Sequence, residues 1–397
     1  MFFWKREKKT KKVHIVIDMG SAVTKLIVSD NVDTVSGSDD IKSENFNWEN
    51  VEKYVYTEPT MLVEKENNQF GFGKEAEECS EEYLVHRFIS NGRITKLGRE
   101  YAVADVVAYL KYLWKKIGLS PEDVREAEVI AVVSCNLFDS DRALFRKAYL
   151  KSGVRNLKFL YLQQALLFFD YVSGSYAEEQ KKAPVCLVDL GAECVNVAIM
   201  WNRKIVCSGE LNSLHSLVQN EIKSGRMPVS LDVGCRRRID KIVPVTWSQA
   251  KYIRETLETL SEEDGRELYV YSYQNRGGTV SASVLQEAIA PWVDNAISFT
   301  SSVIKMFMQT NYDSEELSKG KRIREIRLSG GNSLIPGIES RFAWKLQNMQ
   351  DMQGCFVASE TGETPLVVRA DSPEFESVEN AFYVFMQRDM LDSFLLD

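Results

Sequence analysis

Residues 15–28, IVIDMGSAVTKLIV, alternate apolar and polar positions on either side of a four-residue turn, a pattern that predicts two antiparallel strands. Residues 184–207, PVCLVDLGAECVNVAIMWNRKIVC, repeat it: strand, Asp-x-Gly turn, strand, then a third strand. Asp189 follows Asp18 by 171 positions, and a repeat of that length predicts two similar α/β halves. Between the hairpins the period changes. Val106, Val107, Leu110, Leu113, Trp114 and Ile117 fall on one helical face, with Lys115 and Lys116 in the last turn and Gly118 as a stop. VIAVVS at 129–134 reads as a strand, followed by helices near 140–152 and 163–172. In the second half, SASVLQEAIAPWVDNAISFTSSVIKMFMQ has helical period. IREIRLSGGNSLIPGIESRFAWKL predicts a strand running into Gly330 and Gly331, with a helix after Pro336.

Composition narrows the classes of function. A chain of 397 residues, 44% hydrophobic, can fill two cores, because single cores stop growing near roughly 250 residues. A net charge of −8 argues against a general nucleic-acid binder, which needs clustered excess Lys and Arg. Seven cysteines without regular spacing predict free thiols in a reducing, cytoplasmic compartment. His14, His86 and His215 are scattered, so no histidine metal site is expected. No apolar run has the roughly 20 residues that span a bilayer. The leader MFFWKREKKTKK places Phe2, Phe3 and Trp4 before six Lys or Arg, which reads either as a solvated basic tip or as a peripheral anchor on an anionic membrane face. Arg236, Arg237 and Arg238 read as a solvated or ion-paired loop, with a partner contact as the minority reading.

The chemistry lies in the turns. Backbone N–H groups around Gly20 and Gly191 can converge on anionic oxygens, and glycine admits a close approach. Ser21 adds a hydroxyl and Lys25 a positive charge, while Asp18 and Asp189 at the strand ends suit Mg²⁺ held through water. The ligand expected from this set is a nucleoside triphosphate.

These motifs resemble the actin superfamily over nearly the whole chain. DMGSAVTK is similar to its first phosphate loop (Asp18, Gly20, Ser21, Lys25) and LVDLGAECVNVAI to its second (Asp189, Gly191, Ala192). LYLQQALLFFDYVSG is similar to the connecting helix, which makes Gln164 the water-positioning residue. IRETL is similar to the adenosine-contacting helix, through Arg254 and Glu255. RLSGGNSLIPGIESRF is similar to the adenosine motif, through Ser329, Gly330 and Gly331. TEPTMLVEKENNQFGFGKEAEE and the helix after it look like the small subdomain of the bacterial actins MreB and MamK.

The resemblance implies an α/β fold of two lobes, duplicated mixed sheets flanked by helices, with ATP and Mg²⁺ in the cleft. The expected organisation is a leader at 1–12, lobe I at 13–180 with a small subdomain at about 36–97, lobe II at 181–375 with one at about 210–280, and a C-terminal helix at 376–397 returning to lobe I. It further implies a cytoskeletal protein that polymerises with itself and hydrolyses ATP slowly. Two departures bear on catalysis: Glu193 stands where the family has glycine, and Asn196 where it has a second water-orienting residue or an acid. SGELNSLHSL also replaces the Gly-Gly-Asp segment of MreB that reaches the ribose. The loop DLGAE is also similar to PilM and FtsA, which leaves open an ATP-binding membrane scaffold that recruits adaptor proteins. A sugar kinase shares the fold, but no acceptor-site acid is evident.

Overall fold

The computed structural model describes residues 12–29, 53–66, 69–78, 84–86, 88–97, 100–172, 183–202, 204–212, 267–270, 278–310, 321–335, 337–357 and 365–386. By internal contacts the chain divides into two compact units, Met1–Ala177 with Phe375–Asp397, and Glu178–Glu374.

In the first unit β1 (His14–Met19), β2 (Val23–Ser29) and β3 (Tyr54–Pro59) form an antiparallel meander. Then come β4 (Leu62–Lys65), β5 (Gln69–Phe72), the short helix α1 (Lys74–Glu78), β6 (Leu84–His86), β7 (Ile89–Ser90), β8 (Arg93–Ile94), β9 (Lys96–Leu97) and β10 (Glu100–Tyr101). The main architecture resumes with α2 (Val103–Lys116), α3 (Pro121–Glu126), β11 (Glu128–Val133), α4 (Asp139–Ser152), β12 (Asn156–Tyr161) and α5 (Leu162–Val172). The main sheet has the order β12-β11-β1-β2-β3, with β1, β11 and β12 mutually parallel. A central parallel strand must be apolar on both faces. Accordingly Ile15 and Ile17 pack with α2 and α4, while Val16 packs with α5 and the helix Glu376–Met386.

The periodicity of α2 is realised: Val103, Val106, Tyr109, Leu110, Leu113 and Trp114 are buried, and the helix stops before Gly118 at φ +80°. Burying each large side chain contributes roughly 1.5–3 kcal/mol. α3 begins with Pro121 behind a reciprocal cap between Ser120 and Asp123, which satisfies two end groups.

In the second unit β13 (Val185–Leu190), β14 (Cys194–Trp201) and β15 (Lys204–Asn212) form the corresponding meander. They are followed by β16 (Glu267–Val270), β17 (Gly278–Ser281), α6 (Ala282–Gln309), β18 (Glu325–Ser329), α7 (Ile338–Asn348) and β19 (Leu366–Arg369). The order is β15-β14-β13-β18-β19, with β13, β18 and β19 parallel. Numbering the five strands of each sheet along the chain gives one topology for both, so the repeat read in the sequence is a repeat of fold. Cys186, Val188 and Leu190 alternate onto a core closed by Trp292, Ile297, Ile304 and Phe307 of α6 and Phe342 of α7. The C-terminal helix, α8 (Glu376–Met386), belongs to the first unit, where it packs on the sheet beside α5.

One boundary shifts. Tyr54–Pro59 is the third strand of the main sheet, so the small subdomain expected at 36–97 gives up these residues and its described part begins beyond Pro59. The helix expected after Pro336 begins at Ile338, preceded by a 3-10 turn over Gly331–Leu334. Phe2, Phe3, Trp4, the Arg236–Arg238 run, Arg254, Glu255 and the tail 390–397 lie outside the described residues. Among the described residues no helix is long and apolar enough to cross a membrane. Cys135, Cys186, Cys194, Cys207 and Cys355 form no disulfide among the described residues.

Candidate functional site

The two Asp-x-Gly turns have one backbone design. In the first, the Gly20 N–H donates to Val23 O at 3.2 Å; in the second, the Gly191 N–H donates to Cys194 O at 3.0 Å. A Cβ on Gly20 would meet Val23 O at 2.8 Å, and one on Gly191 would meet Cys194 O at 3.1 Å, so each tight turn excludes a side chain. Each aspartate is the penultimate residue of its strand, opposite the residue seven positions on: Asp18 faces Lys25, and Asp189 faces Asn196.

In the first unit Lys25 Nζ lies 3.6 Å from Asp18 Oδ2, both side chains being about one-sixth exposed. Ser377 Oγ, from α8, donates to the same carboxylate oxygen at 3.1 Å. Ser21 is buried, and its Oγ accepts the Gly92 N–H at 3.2 Å. Asn91 and Gly92, with φ of +50° and +68°, form the β7–β8 turn that brings this donor to the hairpin. The loop therefore joins a carboxylate already balanced by a cation, a held hydroxyl and a glycine turn. That set suits a phosphate oxygen beside a hydrated cation.

Gln164 sits in the first turn of α5, and its buried Oε1 has no hydrogen bond among the described residues. Its neighbour Gln163 is instead spent on the fold: Gln163 Oε1 accepts the Cys135 N–H at 3.0 Å. Of the two glutamines, Gln164 is the one with acceptor capacity left for a ligand or water.

In the second unit Asn196 Nδ2 donates to Asp189 Oδ2 at 3.4 Å and contacts Cys194 Sγ at 3.4 Å. Glu210 lies opposite Asn196 on its other side, so the neutral amide separates two acids in one cross-strand row. Glu193 is 3% exposed. Burial first, then the charges of Asp189, Glu210 and Glu193, push the Cys194 thiol well above its usual range. Glu193, which stands where the family has glycine, keeps its side chain in a buried, acid-rich setting.

The segment after β18 completes this half. Ser329 lies opposite Asp189 in the sheet, and its buried Oγ makes no hydrogen bond among the described residues. Gly330 has φ +81°, and a Cβ there would come within 2.6 Å of Asp189 Oδ1 and 2.7 Å of Leu190 O. Only glycine lets this turn close on the strand. Gly331 opens the 3-10 turn, in which Asn332 Nδ2 donates to Gly191 O at 2.7 Å and ties the motif to the hairpin. Ala192, beside Gly191, brings no polar group.

Ser377, Gly92 and Asn332 were missed in the sequence. Asn332 could have been read from the Gly-Gly-Asn run, whereas Ser377 and Gly92 act at separations of 359 and 71 residues with no local signal.

Taken by itself, each unit presents a glycine turn beside a carboxylate near a strand end, with a spare acceptor at Gln164 in the first and at Ser329 in the second, groups whose chemistry fits phosphate and hydrated Mg²⁺. Among the described residues no cluster of three or more His, Cys, Asp or Glu side chains could cage an ion.

A five-stranded mixed sheet in the order 5-4-1-2-3, present twice and flanked by helices, defines the two-domain actin-like fold. No protein-family model and no curated protein sequence matches the chain. Solved structures do. MreB 5 of Spiroplasma citri bound to AMPPNP aligns with TM-score 0.68 at 12% identity, covering 97% of this chain and 99% of that one. The ADP-bound MreB5 of the same organism gives 0.64 at 13%, covering 96% and 98%. The MamK double helical filament gives 0.62 at 13%, covering 95% and 98%. The fold is thus actin-like, of the MreB and MamK type.

Proposed function

We propose that this chain is an actin-like cytoskeletal protein that binds ATP with Mg²⁺ and polymerises into filaments with slow ATP hydrolysis. The observation that carries the reading is the pair of Asp-x-Gly hairpins, alike in register and turn hydrogen bond, at the same strand of both sheets. The similar structures include one with AMPPNP, one with ADP and one that is a filament.

In this reading Gly20, Ser21 and Lys25 receive phosphate oxygens from one hairpin, and Gly191 with Ala192 from the other. Asp18 and Asp189 would hold Mg²⁺ through water, and the ion would supply neutralisation of charge on the phosphates. Ser329, Gly330 and Gly331 lie along the nucleoside, with Arg254 and Glu255 on base and ribose. Gln164 Oε1 orients the attacking water. Asn196 cannot accept a proton from that water at neutral pH, so hydrolysis rests on positioning and is slow. Polymerisation follows from heterologous contacts that do not close, biased by nucleotide state through differential affinity.

The test is sedimentation of the purified chain with Mg²⁺ and ATP, ADP, a non-hydrolysable analogue or no nucleotide, with phosphate release followed in the same tubes. Filaments with ATP or its analogue are expected, with phosphate appearing slowly. Nucleotide binding without sedimentation or phosphate would replace this reading with a membrane scaffold that uses ATP as a structural ligand.

A further inference from the structure

The two hairpins differ at the residue after the glycine. Ser21 offers a hydroxyl in the first, whereas Ala192 in the second has only its backbone N–H to give. That N–H makes no hydrogen bond among the described residues. Its use to an anion depends on which way the Gly191–Ala192 peptide faces. A trans peptide is planar, with its C=O and N–H pointing in opposite directions. Glycine at 191 places little steric restriction on that plane, so the direction is settled by whatever holds the carbonyl.

Asn332 holds it. Its Nδ2 donates to Gly191 O at 2.7 Å, and the residue is 2% exposed. A carbonyl oxygen only accepts, so the amide must turn its nitrogen toward Gly191. The Ala192 N–H therefore points away from the 3-10 turn that carries Asn332. Turned over, the same peptide would present a carbonyl oxygen on that side, an acceptor that repels an anion, in a turn that already holds the buried acid Glu193.

The turn that presents Asn332 is fixed on both sides. The Gly330 N–H donates to Pro373 O at 3.2 Å, and Ser333 Oγ donates to Gly330 O at 2.7 Å. From the end of β19, Arg369 Nη1 donates to Ser333 O at 2.7 Å, while its Nε lies 3.6 Å from Glu339 Oε1. An amide reaching from between two fixed residues is a rigid donor. The first hairpin is braced by backbone, the Thr60 N–H donating to Ala22 O at 2.8 Å. In the second the brace is a side chain, which a substitution can remove.

We propose that Asn332 is a positioning residue for phosphate at the second hairpin: by clamping Gly191 O it aims the Ala192 N–H outward as a donor to a phosphate oxygen. The inference rests on the nucleotide reading and deepens it. The turn laid along the nucleoside in that reading thereby also sets a donor to the phosphates.

The test compares affinities of the full chain for ATP and for adenosine, by titration calorimetry, in wild type, Asn332→Ala and Asn332→Asp. The alanine variant leaves the peptide to face either way, and ATP affinity should fall about tenfold, the scale of one hydrogen bond to a charged group. The aspartate variant keeps the shape but accepts instead of donating. It should draw the Ala192 N–H inward and cost about a further tenfold. Adenosine, with no phosphate, should keep its affinity in both. Equal losses for ATP and adenosine would make Asn332 a brace of the nucleoside turn alone and overturn the proposal, as would unchanged ATP affinity in the alanine variant. One check needs no variant: with alanine nitrogen labelled for NMR, the Ala192 amide resonance of the wild type should shift when ATP binds, and a resonance that stays in place overturns the proposal. A wild type that binds no nucleotide would remove the nucleotide reading itself, and this inference with it.

Discussion

Across the strand ends at the first hairpin the facing residues read Asp18, Lys25, Thr57; across the second they read Asp189, Asn196, Glu210. The strands, register and glycine turn are the same, yet the middle position is a cation in one row and a neutral amide in the other. The first row neutralises its own acid and suits a site that must attract phosphate. The second keeps two acids apart and adds Glu193 in the turn, so its field favours a cation or a phosphate already bearing one. Duplication kept the backbone device and let each copy specialise by charge.

The largest effect should come from breaking the backbone device. Gly330→Ala would force a side chain into φ +81° and onto Asp189 Oδ1 and Leu190 O. A loss of about 3 kcal/mol in urea unfolding is expected, combining left-handed strain with overlap. A wild-type midpoint would mean that the turn opens at no cost and does not brace Asp189.

Next, Asn196→Asp would complete a row of three acids. Like charges facing across strands repel, and a buried one lacks compensation, so a loss of about 2 kcal/mol at pH 7 is expected. The loss should shrink as the pH is lowered and the row takes up a proton. A pH-independent loss would point to packing against Cys194 rather than charge.

Lys25→Gln tests the opposite row. Removing the cation should weaken ATP binding about tenfold, the scale of one charge-assisted contact. Stability should change by less than about 1 kcal/mol, because the lysine ion pair with Asp18 is partly solvated. Unchanged affinity by titration calorimetry would reduce Lys25 to a partner of Asp18 and leave the phosphate to backbone groups.

The duplication was legible because both turns announce themselves locally. Alternation, Asp-x-Gly and the 171-residue offset need no tertiary information, and the α2 stripe with its Gly118 stop is likewise local. What escaped depends on residues distant in the chain. Ser377 reaches Asp18 from the far C-terminal helix, and Gly92 reaches Ser21 from a turn between two-residue strands too short to carry a period. The third strand, Tyr54–Pro59, fell inside the subdomain bounds that the resemblance implied, and YVYTEP carries no apolar–polar alternation to mark it as the edge strand of the main sheet. The choice of Gln164 over Gln163 came only from resemblance; the structure adds that Gln163 Oε1 is taken by a backbone N–H.

The comparison extends to the far end of the two sheets, with a smaller effect. Val185 occupies the register position of His14, and each faces a glutamate at the start of the fourth strand, Glu325 and Glu128. Glu325 lies 3.2 and 3.6 Å from the guanidinium groups of Arg324 and Arg327, permanent cations. Glu128 is instead held by His14, 3.2 Å away, and by Lys12. The His14 hydrogen bond, against the opposing cost of burial and with help from Lys12, lowers the Glu128 carboxyl from 4.5 to about 2. A carboxyl depressed on folding adds stability that is fully present above its unfolded value and disappears as the pH falls through its folded value. Glu128→Gln should therefore cost about 1 kcal/mol at pH 7, after allowance for screening of a partly exposed group. The difference from wild type should narrow between pH 4.5 and pH 2 and vanish below. Urea unfolding of both proteins across that window checks it. A constant difference down to the lowest pH would mean that Glu128 acts through packing, and the contrast with the arginine-held Glu325 would then lie in geometry rather than in titration.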